Sequence, residues 1–181
     1  MNSPYMGNFT VSQKYKPGEH NGMDLVGYDS KEIHSTVTGT VIWADWENRD
    51  NHAQGFGQYV AITSDSDGHV YLFGHLSEVK VTLGQHVNVT DVIGIEGSTG
   101  YSTGSHCHYE IRSEHSYLSE KFNVSEISGI PNREWETFND GYIGQVLNLA
   151  TQNTEPTQER KKIKVTIDFD EHTYSGLLEE I

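Results

Sequence analysis

The residues of this chain best suited to chemistry stand in one short run, Ser105-His106-Cys107-His108-Tyr109-Glu110-Ile111-Arg112. Successive side chains of an extended strand point to opposite faces, so His106, His108 and Glu110 share one face, and Cys107, Tyr109 and Ile111 the other. The first face is a metal edge: neutral imidazole is a good zinc ligand, and two imidazoles on a rigid strand lose little freedom when an ion arrives. The second face suits a core. With 10 His in the chain, this spacing also arises by chance, so the pair needs partners. They stand at His20-Asn21-Gly22-Met23-Asp24 and at Tyr71-Leu72-Phe73-Gly74-His75-Leu76-Ser77. His20 and Asp24, four apart with Gly22 between them, read as a loop clip offering one nitrogen and one oxygen. With His108 they make three protein ligands. A catalytic zinc uses three and keeps a position open for water, whereas a structural zinc is closed by four, usually including cysteines, and this chain has one cysteine.

The order His-x-x-x-Asp, Gly-His-Leu-Ser, His-x-His resembles that of the lysostaphin-like (LytM-type) zinc endopeptidases of bacterial cell walls. The likeness extends through Phe9-Thr10-Val11-Ser12, Gly39-Thr40-Val41, Gly84-Gln85-His86-Val87, Val92-Ile93-Gly94 and Gly97-Ser98-Thr99-Gly100-Tyr101-Ser102-Thr103-Gly104, and spans residues 5–133. It implies an all-β fold of antiparallel sheets in a barrel-sandwich-like domain. It also implies Zn2+ on His20, Asp24 and His108, with His75 and His106 unligated beside the metal-bound water as the catalytic pair. The substrate implied is the peptide part of peptidoglycan, in the manner of phage or prophage endolysins. Two departures stand out: Cys107, where the family more often has leucine or another apolar residue, and a polar excursion at Asn48 to Gly55 that bears on specificity. On this reading His106 is the general base, and His75 orients the water or donates to the oxyanion or the leaving amine. Glu110 either fixes a histidine tautomer from behind or forms a surface salt bridge.

Readings from other classes remain open at this point. A catalytically silent relative would serve as a wall-binding or virion structural module, although the full set of five residues favours catalysis. A sugar-phosphotransferase-like phosphocarrier with paired histidines does not explain Asp24, and a lipoyl carrier needs an exposed lysine at a hairpin tip, a setting Lys80 lacks.

Composition narrows the partners. With 12 Lys plus Arg against 26 Asp plus Glu, the formal charge is −14, which repels phosphate backbones and argues against nucleic acid. Hydrophobic residues are 34% of the chain, and no run approaches the roughly 18 to 20 apolar residues of a membrane span. Met1-Asn2-Ser3-Pro4-Tyr5 shows neither the basic nor the apolar region of a secretory signal. The expectation is a protein made in the cytoplasm that acts at the cell wall. Cys107 reads as a small buried hydrophobe.

Short β-rich segments cut by glycine run from Phe9 to Ile111: Phe9 to Val11, Val37 to Trp43, Gln58 to Thr63, His69 to Phe73, Asp91 to Glu96 and His106 to Arg112. Ser64-Asp65-Ser66-Asp67-Gly68 reads as a hairpin loop that leaves His75 just beyond its second strand. Residues 44–57 form a polar loop long enough to wall a groove. His34, His52, His69, His86, His115 and His172 read as solvated surface residues. The chain then reads as irregular through Asn132. A peptidase domain is expected over 1–133, an irregular linker over 134–162, and a β-hairpin tail over 163–181, where Ile163, Val165, Ile167 and Phe169 alternate with polar residues. A lone hairpin is marginal in water, so it is expected to dock on its own domain, on a second copy or on an assembly partner.

Overall fold

The computed structural model describes residues 1–140, 163–169 and 172–178. The strands are β1 (Gly7–Gln13), β2 (Met23–Gly27), β3 (Glu32–His34), β4 (Gly39–Trp46), β5 (Gln58–Ser64), β6 (Val70–Leu76), β7 (Glu78–Val79), β8 (His86–Val87), β9 (Val92–Ile95), β10 (Cys107–Arg112) and β11 (Thr137–Asp140), with one short helix, α1 (Val124–Ser128). Eight of them form an antiparallel sheet in the order β11-β1-β2-β10-β6-β5-β4-β8, and β3-β9-β7 form a smaller one. Among the described residues no helix is long and apolar enough to cross a membrane. The all-β, antiparallel expectation holds.

Strand alternation sorts the large sheet into two faces. Val60 and Ile62 of β5, Tyr71 and Phe73 of β6, and Cys107, Tyr109 and Ile111 of β10 enter the main core with Phe9, Val11, Met23 and Leu25. Their neighbours Tyr59, Ala61, Val70 and Leu72 form a second cluster on the opposite face, covered by Ile42, Trp43 and Phe56. Asp24, His108, Glu110 and Arg112 alternate with core residues and so face this second side. Cys107 is fully buried, and burial pushes its thiol well up, which suits a packing residue and not a reactive thiolate.

Several elements differ from the sequence reading. Asp24 lies within β2 and not in a loop, because Met23 and Leu25 on either side of it are wholly buried. The segment after Ile111, read as irregular, contains α1. Asn123 caps its start by accepting from the Ser125 N–H, and Gly129, at φ 71°, closes its end. His34, read as a surface residue, is buried with its backbone N–H on the Pro4 carbonyl. The sheet also continues past residue 133: β11 pairs with β1, Phe138 packs on Phe9, and Thr10 Oγ1 donates to the Glu136 carbonyl at 2.8 Å. The turn at Ser64 to Gly68 joins β5 to β6 as expected, with Gly68 at φ 71°.

Two compact units divide the chain, Met1–Ile143 and Gly144–Ile181. In the second, β12 (Ile163–Phe169) and β13 (His172–Leu178) pair antiparallel, from Ile163 opposite Leu178 to Phe169 opposite His172. Most of the expected linker, from 141 to 162, lies outside the described residues.

Candidate metal centre

Three adjacent strands carry the site. In the register of β2 and β10, Asp24 stands directly opposite His108, and on the other side His108 faces Gly74 of β6. Directly opposed residues have Cβ atoms about 4.5–5.5 Å apart, so strand pairing alone brings this carboxylate and imidazole together. Two glycines make the room: a Cβ at Gly22 would lie 2.6 Å from His108 Nε2, and one at Gly74 would press on Phe56 and His108. His20 arrives from a tight turn in which the backbones of Lys16 and His20 exchange two hydrogen bonds of 2.8 Å.

His20 Nε2, Asp24 Oδ1 and His108 Nδ1 converge. Asp24 Oδ1 is 2.8 Å from His108 Nδ1 and 3.2 Å from His20 Nε2, and the two nitrogens are 3.3 Å apart. The far nitrogen of each ring is held by an acceptor: His20 Nδ1–H donates to the Lys14 carbonyl at 2.9 Å, and His108 Nε2–H donates to Glu110 Oε2 at 3.1 Å. In the neutral rings both inward nitrogens therefore carry lone pairs. Two lone pairs and a carboxylate oxygen within 3.3 Å, with no donor among them, call for a cation at their centre. Among the described residues, this trio is the group of His, Cys, Asp and Glu with metal-holding geometry.

The electrostatics agree. Burial would raise the Asp24 carboxyl, but hydrogen bonds with His108 and His20 outweigh it and hold the group well below the usual carboxylate range. Burial would lower His108, yet its bonds to Asp24 and Glu110 raise it to about 9, so in the metal-free chain a proton takes the cation's place. Glu110 is buried, not at the surface: burial raises its carboxyl, and the stronger pull of His108 and Arg112 lowers it to about 2. Arg112 Nε donates to Glu110 Oε1 at 2.6 Å, and its guanidinium lies 5.2 Å over the Phe56 ring.

His75 and His106 flank the trio, their ring centroids 4.7 Å apart. His75 is inside β6, not beyond it, with φ 62°, where the pairing of β5 with β6 shifts register between Gln58 and Val60. Its Nδ1–H donates to the Thr99 carbonyl at 2.7 Å, leaving the lone pair on Nε2. Burial, then the nearby His108, lowers it to about 4, so it is neutral at physiological pH. His106 Nδ1–H donates to the Gly104 carbonyl at 2.8 Å, and its Nε2 lies 3.6 Å from Asp24 Oδ2. All five residues line one cleft of about 420 Å³ with Gly55, Phe56 and the 84%-exposed Tyr101. The polar loop does form one wall: the carbonyls of His52 and Gly55 accept from the N–H groups of Gly100 and Tyr101, and His52 stacks on Trp46 with ring centroids 3.6 Å apart.

Sequence reasoning missed the carbonyls of Lys14, Thr99 and Gly104. A main-chain acceptor leaves no trace in residue type. The density of glycine, serine and threonine from 97 to 104 was the available sign of a tight loop over the site.

Comparison with known proteins bears on the same residues. Lysostaphin of Staphylococcus simulans is 27% identical over 113 residues, covering 59% of this chain and 22% of lysostaphin. Peptidoglycan DD-endopeptidase ShyA of Vibrio cholerae is 31% identical over 131 residues, covering 71% of this chain and 28% of ShyA. The chain thus spans under a third of the length of either relative. The crystal structure of a mutant catalytic domain of the prophage-encoded M23 protein EnpA from Enterococcus faecalis superposes with a TM-score of 0.53 at 25% identity, covering 67% of this chain and 94% of that one. The description of peptidase family M23 matches residues 18–120, a stretch of more than half the chain that holds all five clustered residues, and the chain belongs to that family.

Proposed function

We propose that this chain is a zinc-dependent endopeptidase that hydrolyses peptide bonds in the stem peptides or cross-bridges of peptidoglycan and acts at the cell wall. The observation that carries the reading is the convergence of His20 Nε2, Asp24 Oδ1 and His108 Nδ1, each imidazole held by an oxygen behind it so that its lone pair points inward. When bound there, zinc supplies Lewis-acid polarisation of the scissile carbonyl and an acidified water as nucleophile.

The chain's own groups divide the remaining work. His106 Nε2 accepts the proton of the attacking water, and the imidazolium that results sits beside Asp24 Oδ2, 3.6 Å away. The same nitrogen then returns the proton to the leaving amine. His75 is held neutral with its lone pair on Nε2, so it positions water by accepting a hydrogen bond and is a poor proton donor to the oxyanion. Phe56 and Tyr101 offer apolar surface to a peptide lying across the cleft. The name of ShyA, a peptidoglycan DD-endopeptidase, supports the substrate class, and the prophage origin of EnpA supports an endolysin-like setting.

The test is mass spectrometry of fragments released by the zinc-loaded protein from walls of two different cross-link types. New amino and carboxyl termini within the peptide part are expected from at least one wall. A protein that binds one zinc and releases no fragment from either wall is instead a silent member of the family serving as a wall-binding or virion structural module.

A further inference from the structure

Glu96 follows β9, its side chain wholly removed from solvent. Four donors converge on it. Oε1 accepts from Lys31 Nζ at 2.7 Å and from Ser105 Oγ at 2.6 Å, and Oε2 accepts from the Tyr5 hydroxyl at 2.5 Å and from the Gly27 N–H at 2.9 Å. Burial alone would raise this carboxyl, but the donors, Lys31 first, outweigh it and hold the group below its ordinary value. An ionised carboxylate sunk in a core is expensive, and packing against apolar neighbours needs only an aliphatic residue. What the carboxylate adds is four directed attachments.

Two of them lead toward the cleft. Ser105 immediately precedes His106, and the carbonyl on its other side, that of Gly104, holds His106 Nδ1. The His106 backbone N–H donates to the Gly97 carbonyl at 2.9 Å, one residue beyond Glu96. The second attachment, Gly27, ends the strand that carries Asp24. The Glu96 carbonyl also accepts from Ser77 Oγ at 2.9 Å, two residues after His75. We propose that Glu96 is a positioning residue: through Ser105 it fixes the Gly104 carbonyl and thereby the orientation and tautomer of the His106 ring. Glu96 touches no reacting atom. The inference rests on the reading of His106 as the proton acceptor above.

The experiment separates the attachment that leads to His106 from one that leads away. Ser105→Ala removes the first. Tyr5→Phe removes a donor to the same carboxylate on the side of the core. Each zinc-loaded variant is assayed for kcat and KM on a soluble cross-linked muropeptide, and its His106 ring is followed by long-range nitrogen–proton NMR, which reads tautomer and ring order without turnover. Ser105→Ala should lower kcat about tenfold at unchanged KM, since a small misplacement of a reacting group costs up to about 10²-fold, and should mix the His106 tautomers at full zinc content. Tyr5→Phe should melt earlier and keep both kcat and the ring signals. Glu96→Gln should rescue relative to Glu96→Val. The amide oxygen can still take Tyr5 and Gly27, and its NH2 can donate to Ser105 Oγ, which has lone pairs to accept it. Wild-type kcat and ring signals in Ser105→Ala, or equal loss in Tyr5→Phe, would overturn the proposal. Should the wild-type protein hydrolyse no wall peptide, the functional reading fails, and the ring signals alone decide the role of Glu96.

Discussion

Exchanging Glu110 for glutamine tests whether the acceptor behind His108 governs the metal. The carboxylate offers one oxygen to His108 Nε2–H at 3.1 Å and the other to Arg112 Nε–H at 2.6 Å, and its side chain is 3% exposed. Glutamine has the same shape but one acceptor oxygen, so its NH2 must face one of two donors. Against Arg112 it would leave a buried guanidinium unpaired, the costlier fault for a charged group. The amide should therefore turn its oxygen to Arg112 and its NH2 to His108, whose proton then moves to Nδ1, the atom that has to be free for metal. Loss of such a supporting partner typically costs about 10- to 100-fold in metal affinity, which is about 1.4–2.8 kcal/mol. Chelator-competition titration of zinc at pH 7.5 reads the constant directly, and circular dichroism of the metal-free protein checks that Glu110→Gln still folds. A folded variant that binds zinc within twofold of wild type would refute the reasoning, because His108 would then keep its inward lone pair without help from behind.

His108→Ala and Asp24→Ala should each lose both zinc and turnover, while His106→Ala should keep one zinc per chain and lose turnover; loss of zinc from the last would show that the two strand histidines are wrongly assigned. Because Asp24 and Glu110 raise metal-free His108 to about 9 against its burial, zinc must displace a proton below that pH. Apparent affinity should rise about tenfold per pH unit from 7 to 9, and calorimetry at pH 7.5 in two buffers should register about one proton released. The same raised value stabilises the metal-free fold fully below about pH 6.5 and is lost as pH climbs through 9, so melting temperatures of metal-free wild type and His108→Ala should converge at alkaline pH. Gly22→Ala would set a Cβ 2.7 Å from the Tyr109 carbonyl as well as against His108, and should weaken zinc at least tenfold by the same titration. A chain cut after Arg133 loses the pairing of β11 with β1 and should melt below one cut after Ile143; equal melting would show that β11 adds nothing to the first unit.

The His106 to Arg112 strand was legible because its two faces differ in kind: imidazoles and carboxylate on one, core residues on the other. The Gln58 to Phe73 hairpin was legible because its turn is local. Asp24 was harder. Its strand has five residues, its pairing with β10 joins positions 84 apart, and no local pattern encodes which distant strand a short one will meet. His75 was placed near the site but outside its strand, since a left-handed histidine at a register shift has no residue-type signature. Glu110 was left between two roles because burial decides between them, and burial depends on neighbours far off in sequence, such as β6, where Leu72 stands opposite Glu110. The sheet's continuation beyond residue 133 hid in Thr137 to Asp140, a four-residue edge strand with a single apolar residue, Phe138, too short to show an alternating pattern.

The strand order also dictates when this site can exist. β10 lies between β2 and β6, so the strands carrying Asp24 and His75 are not joined in one sheet until the last of the three has been threaded between them. A nascent chain that has emerged only as far as Leu76 already displays His20, Asp24 and His75, but it has no surface on which they meet. Contacts that close such long loops form late, after their entropy has been overcome. Under the proposed function, hydrolytic capacity is thereby tied to completion of the sheet, and a ribosome-bound or partly folded chain carries the five residues with no site in which they act together.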